Sequence, residues 1–148
     1  MARKKNARRK ERKLEESEAQ WRTLFGEDEE DWSVSRKTVK KYLAHLNEHL
    51  TFPCEATGIE DFPWEERYIF GYGDKEEYER LKQAHLSYTD KFLIQKLVYD
   101  DGSGGLVARV LRGKQKFDAS LDWIKATDRD SPNYDLLDDY ATWFVNYN

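Results

Sequence analysis

The sequence predicts an α+β domain in which a small antiparallel β-sheet is flanked by N-terminal and C-terminal helices. Aromatic residues make up 14% of the 148 residues, and disordered chains are poor in aromatics, so most of the chain should fold. Apolar residues recur at helical spacing towards both ends and alternate or cluster between them. The length suits one domain with a core. Both an open sheet and a barrel-like one fit this pattern.

The net charge of −4 is the sum of two oppositely charged parts. Residues 1–13 carry eight Lys or Arg and one Glu, a charge of +7, whereas residues 14–148 carry a charge of −11. The first part is interpreted as a basic tail, either disordered or a frayed helix. Residues 14–32 are interpreted as a helical and acidic linker, because the five acids at 27–31 repel one another. The domain is then expected over residues 33–148.

The first half of this domain is predicted to contain a helix and then a strand. Ser33 or Ser35 can cap the helix, which should run to about Glu48. Apolar and polar residues then alternate over 50–56, which predicts a half-buried strand with Cys54 on its inner side.

The middle of the chain is predicted to form further strands around a helix. The aromatic segment 67–72 is expected to be a short strand, and the charged segment 74–86 a helix. Residues 92–99 are rich in apolar and β-branched types and predict a strand. The chain should return through a glycine-rich turn at 100–105 into a strand at 106–111.

The C-terminal part is predicted to add a short strand at 115–117 and a final helix. Ser131 followed by Pro132 is typical of a helix start. Serine caps the first turn, and the backbone N–H that proline lacks would have no hydrogen-bond partner within the helix at that position. The apolar residues that follow have helical spacing, so this helix should pack on the sheet.

Several classes of protein are excluded or disfavoured by composition. No run of about 18 apolar residues is present, and no apolar run follows the basic N-terminus, so a cytoplasmic location without membrane spans or a secretory signal is expected. Cys54 is the only cysteine and is interpreted as a small core residue. His45 and His49 lie four residues apart without further metal-site residues, which favours a structural or surface role. Neither a nucleophile elbow nor a phosphate-binding loop is present. A monomeric protein that is not an enzyme is therefore expected.

The acidic excess points to a hard cation as ligand. Ca²⁺ takes about six to eight oxygen ligands from carboxylates, carbonyls and water. Asp100 and Asp101 precede a glycine-rich turn whose carbonyls can join them. A solvated surface is the alternative interpretation of every acidic cluster. An EF-hand loop starting at Asp128 is rejected, because Pro132 and Asn133 stand where a ligand and a glycine are needed.

Two other features allow binding. The basic tail can neutralise phosphates, which predicts contact with nucleic acid or an acidic partner, and a solubilising extension is the alternative. Trp64, Tyr68, Phe70 and Tyr72 crowd one segment. Core packing is the expected use of these aromatics, with a ligand groove as the alternative.

Five motifs follow one another in residues 50–148. They are "LTFPCEAT" at 50–57, "YDDGSGG" at 99–105, "LVARVLRGKQKF" at 106–117, "DASLDWI" at 118–124 and "DRDSPNYDLLDDYATWFVNY" at 128–147. In order and spacing this region resembles the small bacterial and cyanobacterial calcium-binding family typified by CcbP. Two positions depart from the family pattern: Asp118 replaces an apolar residue and Ser120 replaces a proline.

The resemblance implies Ca²⁺ binding without EF-hands on a compact α+β domain, as a buffer or sensor of intracellular calcium. The positions that carry over best are Asp100, Asp101, Asp138 and Asp139. Further candidate ligands come from the other acidic clusters of the same region. They are Glu60, Asp61, Asp118 and Asp122.

Overall fold

The computed structural model describes the backbone of residues 2–148 and the side chains of residues 13–148. The helices are α1 (Ala2–Phe25), α2 (Arg36–His49), α3 (Glu66–Ile69), α4 (Lys75–Ala84) and α5 (Pro132–Asn146). The strands are β1 (Cys54–Gly58), β2 (Phe92–Asp100), β3 (Gly105–Arg112), β4 (Gln115–Ser120) and β5 (Ile124–Ala126). Short 3₁₀ turns lie at Glu29–Trp32, Pro63–Glu65 and Leu121–Trp123. Within the described residues, no helix is both long and apolar enough to cross a membrane.

The five strands form one antiparallel sheet in the order β4-β3-β2-β1-β5. The predicted α+β class is therefore confirmed. The barrel-like alternative is wrong, because β4 and β5 are the two outer strands and do not pair with each other. The sheet stays open.

The helix-capping residues predicted for α2 and α5 are confirmed. Ser35 caps α2: its Oγ accepts from the Thr38 backbone N–H at 3.2 Å, and Thr38 Oγ1 accepts from the Ser35 N–H at 2.9 Å. This reciprocal pair satisfies two N–H groups that the helix leaves free. Ser131 caps α5 in the same way, with its Oγ accepting from the Asn133 N–H at 3.1 Å, and Pro132 begins the helix.

A β-bulge keeps one face of β2 in the core. Phe92 and Ile94 alternate as expected, but the next fully inward residue is Leu97, because the register against β3 shifts between Ile94 and Lys96. One extra residue at the bulge returns Leu97 to the inner face.

The strand predicted at 67–72 is wrong. The chain there forms the 3₁₀ turn Pro63–Glu65, the helix α3 and a turn. Trp64 and Tyr68 lie four residues apart and pack with ring centroids at 6.3 Å, as neighbours on a helical turn do. Aromatic composition favours a strand only weakly, and in this segment the packing of the rings along a helical turn outweighs that preference.

The interpretation of residues 14–32 as a linker is also corrected. Trp21, Phe25 and Trp32 from this segment are buried in the main core, where they contact Tyr42 of α2 and Trp143 of α5. The domain thus includes this segment and does not begin at residue 33. The backbone of residues 2–13 is helical as the start of α1, which agrees with the helical interpretation of the basic tail, and the side chains of residues 1–12 lie outside the described part.

Candidate functional site

The structure places the eight candidate cation ligands in four separate regions. Asp100 and Asp101 lie at the β2–β3 turn, and Asp118 lies on β4. Asp138 and Asp139 lie on α5. Glu60, Asp61 and Asp122 line a pocket beside the sheet.

The β2–β3 turn satisfies its own carboxylate. Asp100 Oδ2 accepts from the Ser103 backbone N–H at 3.0 Å, and the Asp100 carbonyl accepts from the Gly104 N–H at 2.9 Å. The hydrogen bonds from Ser103 lower the pKa of Asp100. Asp101 is exposed beside it. The turn is thus closed by local hydrogen bonds.

Asp118 faces a positive side chain on the neighbouring strand. It lies directly opposite Arg109 in the β3–β4 register, with 4.0 Å between Arg109 Nε and the Asp118 carboxylate. Both side chains are more than half exposed, so this pair contributes little to stability. Asp118 lies apart from the other candidates.

Asp138 and Asp139 lie against α1. Lys13 Nζ is 2.5 Å from Asp138 and 3.0 Å from Asp135, and Ser17 Oγ donates to Asp139 at 2.6 Å. Burial raises the pKa of Asp139 to about 6, while the Ser17 hydrogen bond and the Lys13 charge act in the opposite direction. The lysine ammonium therefore already occupies this acidic cluster, and the contact holds α1 on α5.

The remaining three acidic residues line one pocket of about 250 Å³. Glu60 and Asp61 come from the loop after β1, and Asp122 comes from the turn after β4. The Ile59 N–H donates to the Trp123 carbonyl at 2.9 Å, so the two segments are held together by backbone. The rest of the lining is apolar and comprises Ile59, Pro63, Trp123 and Val145.

Asp122 is half-buried, and its surroundings differ from those of two other half-buried acids, Asp90 and Asp138. Asp90 faces Arg112 and Asp138 faces Lys13, but no cation of residues 13–148 lies within ion-pair distance of Asp122. Burial raises the pKa of its carboxyl. A cation in the pocket would offset this cost of burying the charged form.

The pocket is not a preformed metal centre. Among the described residues, no three Asp, Glu, His or Cys side chains stand close enough together to hold a metal ion. Glu60 is exposed and Asp61 half-buried, so both carboxylates have room to turn towards Asp122. The pocket therefore has carboxylate oxygens on two hydrogen-bonded segments, and these oxygens are not yet grouped around one point.

The histidines and the cysteine lie elsewhere. His45 and His49 stack on α2 with ring centroids at 4.4 Å, and His45 Nε2 lies 2.5 Å from the Gln20 amide nitrogen. Burial, and then the neighbouring His49, lower the pKa of His45. Cys54 is buried on the inner face of β1, and burial raises the pKa of its thiol.

One aromatic prediction is overturned. Phe70 is 64% exposed and Tyr72 is 84% exposed, so neither packs in the core. The spacing of Gly71 and Gly73 on either side of Tyr72 is the sequence signal that could have indicated a turn displaying it. Trp64 and Tyr68 are half-buried beneath this turn.

Comparison with known proteins gives no relative: no family model matches the chain, and neither the curated proteins nor the solved structures contain a match. The resemblance to the calcium-binding family of CcbP therefore stays a prediction, and so do the ligands that it implies.

Proposed function

We propose that the protein is a cytoplasmic, non-enzymatic Ca²⁺-binding protein whose site is the pocket of Glu60, Asp61 and Asp122. One observation carries the proposal. Carboxylates from two distant segments line a single cavity, and the described side chains bring no cation to it. At the other candidate positions an ammonium, a guanidinium or a local backbone donor already faces a carboxylate.

The chemistry of the pocket suits Ca²⁺ better than Mg²⁺. Ca²⁺ accepts irregular sets of carboxylate, carbonyl and water oxygens, whereas Mg²⁺ needs near-octahedral geometry and gives up water reluctantly. A site with three carboxylates that must turn inwards is weak, so we expect a Kd on the order of 10⁻⁴–10⁻³ M. Binding would bring the β1 loop and the turn after β4 into one rigid unit and raise stability by mass action.

Calorimetric titration tests the proposal directly. Millimolar Ca²⁺ should give a saturable heat and a higher melting temperature, and Mg²⁺ at the same ionic strength should give much less. Asp122→Asn and Asp61→Asn should each abolish the Ca²⁺ heat, because each removes an oxygen donor and a charge.

Asp118→Asn is the matched control, since Asp118 is a carboxylate of the same region that lies outside the pocket. It should bind Ca²⁺ as the unaltered protein does. Loss of binding in Asp101→Asn with retention in Asp122→Asn would move the site to the β2–β3 turn and overturn the pocket. Absence of heat and of a melting shift in the unaltered protein would overturn calcium binding altogether.

A second function is favoured by the way in which α1 is built. Its C-terminal half is held in the core by Trp21 and Phe25, and Lys13 is fastened to Asp135 and Asp138. Residues 1–12, which precede this anchor, carry seven Lys or Arg and one Glu. We propose that this segment binds the phosphates of a nucleic acid, because such a charge density releases condensed counterions.

The test is salt-dependent binding to a labelled DNA or RNA duplex. Deletion of residues 1–12 should abolish binding while keeping Lys13, whose ion pairs belong to the fold. Arg8→Ala and Arg9→Ala should each reduce the slope of log K against log salt by about 0.9 if each arginine neutralises one phosphate. Retention of duplex binding after the deletion, or binding that does not depend on salt, would contradict the proposal.

A further inference from the structure

A groove separate from the core is formed by aromatic side chains around Pro63. Its volume is about 480 Å³. Phe70 and Tyr72, both mostly exposed, form one side, and the half-buried Trp64 lies at its base. Clustered exposed aromatic rings of this kind are candidates for an interaction site.

The turn that displays these rings is ordered and depends on glycine. Gly71 adopts a φ of +82°, which side-chain-bearing residues rarely adopt. A Cβ on Gly73 would stand 2.3 Å from the Tyr68 ring. The backbone is closed by a hydrogen bond of 2.9 Å from the Tyr72 N–H to the Arg67 carbonyl. Tyr72 is therefore held out from the surface by packed structure.

The floor of the groove is rigid. Trp64 packs against Tyr68, Tyr78 and His85, and its indole N–H donates to the Leu86 carbonyl at 2.8 Å. The indole donor is thus already used, and the groove offers ring faces for stacking. Flat aromatic rings in an open groove suit the rings of proline in an extended peptide.

The charges around the groove determine which charge a binding partner should carry. Glu66 lines it, and Pro63 is shared with the neighbouring pocket, whose acids are Glu60, Asp61 and Asp122. Among the described side chains, the one cation that lines either of the two cavities is Arg67, whose guanidinium lies over the Tyr68 ring. Within the groove Glu66 and Arg67 balance each other, so the net negative charge comes from the acids of the neighbouring pocket, and it attracts cations.

We infer that the groove of Pro63, Trp64, Phe70 and Tyr72 binds an extended, proline-containing basic segment of another protein. The prolines stack on the exposed rings, and the Lys or Arg residues of the partner face Glu66 and the acids beyond Pro63. The inference does not depend on Ca²⁺ binding, and its test is made with a chelator present.

The probe is a fluorescein-labelled peptide of alternating proline and arginine, measured by fluorescence anisotropy. The unaltered protein should bind it saturably. Phe70→Ala and Tyr72→Ala should each weaken binding by about tenfold or more, as expected for central aromatic contacts. Glu66→Gln should weaken it less and reduce its dependence on salt. Leu93→Ala, a comparable apolar truncation on β2, should leave it unchanged.

Three results would overturn the inference. They are the absence of saturable binding, equal binding by Tyr72→Ala and the unaltered protein, and equal binding of a peptide with glutamate in place of arginine. A single-stranded oligonucleotide whose binding is lost in Tyr72→Ala would identify the groove as a nucleic-acid site instead. Unchanged melting temperatures of the Phe70 and Tyr72 variants would show that they fold, as their exposure leads us to expect.

Discussion

At the scale of single residues, the buried Glu65 and the half-buried Asp122 show how surroundings decide the role of an acid. Glu65 is fully buried and accepts hydrogen bonds from the Phe62 and Tyr88 N–H groups and from the hydroxyls of Tyr78 and Ser87. Donors on both oxygens stabilise its charge, so it acts as a structural link between the loop before α3 and the segment before β2. Asp122, by contrast, is half-buried with no facing cation among the described side chains.

Asp139 leads to a prediction on pH. Its folded pKa of about 6 lies above the value of about 4 in an unfolded chain. Between these values the folded state binds more protons than the unfolded state, so this carboxyl makes the protein less stable as the pH rises from about 4 to about 6. Asp139→Asn removes this loss and keeps an oxygen that can accept from Ser17.

We therefore expect Asp139→Asn to gain stability relative to the unaltered protein as the pH rises from about 4 to about 7, by on the order of 1 kcal/mol after allowing for partial exposure. Urea unfolding at a series of pH values measures it. Asp138→Asn is the matched control and should lose stability at neutral pH, since it breaks the ion pair with Lys13. A difference between Asp139→Asn and the unaltered protein that does not change with pH would refute the assignment.

At the scale of elements, the C-terminal end of α4 is held by one arginine of the sheet. None of its residues is fully buried. Arg112 of β3 donates to the carbonyls of Lys82, Gln83 and His85 at 2.9 Å and to Asp90 at 2.6 Å. A guanidinium satisfies several free carbonyls at a helix end at once and complements the negative end of the helix dipole.

Arg112→Lys should loosen α4, because an ammonium cannot make this fork of hydrogen bonds. We expect a loss of about 1–3 kcal/mol in the free energy of opening α4, seen as faster amide hydrogen exchange over Lys75–Ala84. Arg109→Lys on the same strand is the control, since Arg109 is exposed and makes only the long ion pair with Asp118. Equal protection of α4 in both variants would show that Arg112 does not hold the helix.

At the scale of the whole molecule, the helices α1, α2 and α5 share one aromatic core. Trp21 donates to the Tyr42 hydroxyl at 3.1 Å, and Trp143 donates to the Trp32 carbonyl at 2.8 Å. On the sheet side, the Tyr140 hydroxyl accepts from the Leu106 N–H at 2.9 Å. These large side chains are buried with their polar atoms satisfied, so they tie the N-terminal segment to the C-terminal helix and the sheet.

Truncation separates the basic segment from the folding unit. Deletion of residues 1–12 should leave the free energy of unfolding nearly unchanged, whereas deletion of residues 1–25 should prevent stable folding. The second deletion removes Trp21 and Phe25 and uncovers Tyr42 and Trp143.

The point variant Trp21→Ala should cost about 3–5 kcal/mol in urea unfolding, the usual range for a buried aromatic. Leu14→Ala, on the same helix and half exposed, should cost far less. A protein without residues 1–25 that unfolds cooperatively at the same urea concentration would show that the domain begins after α1.

Much of this fold was accessible from the sequence where local signals agree. The caps at Ser35 and Ser131, and the turn between β2 and β3, depend on residues next to one another in the chain. The short strand Ile124–Ala126 was missed, because three residues carry no periodicity and this strand exists only by pairing with β1. The helix Glu66–Ile69 lies where the aromatic composition predicts a strand, since four residues are too few for helical spacing to show.

For the candidate site, the sequence identified the acids but not their grouping. It separated a basic segment from an acidic remainder and predicted the α+β class, because charge and periodicity are properties of the chain itself. The packed structure adds that Lys13 pairs with the acids of α5, that Glu60 and Asp61 line one pocket with Asp122, and that Tyr72 faces solvent. Lys13 and Asp138, and likewise Asp61 and Asp122, are far apart in the chain and become neighbours only when the helices pack and the sheet forms.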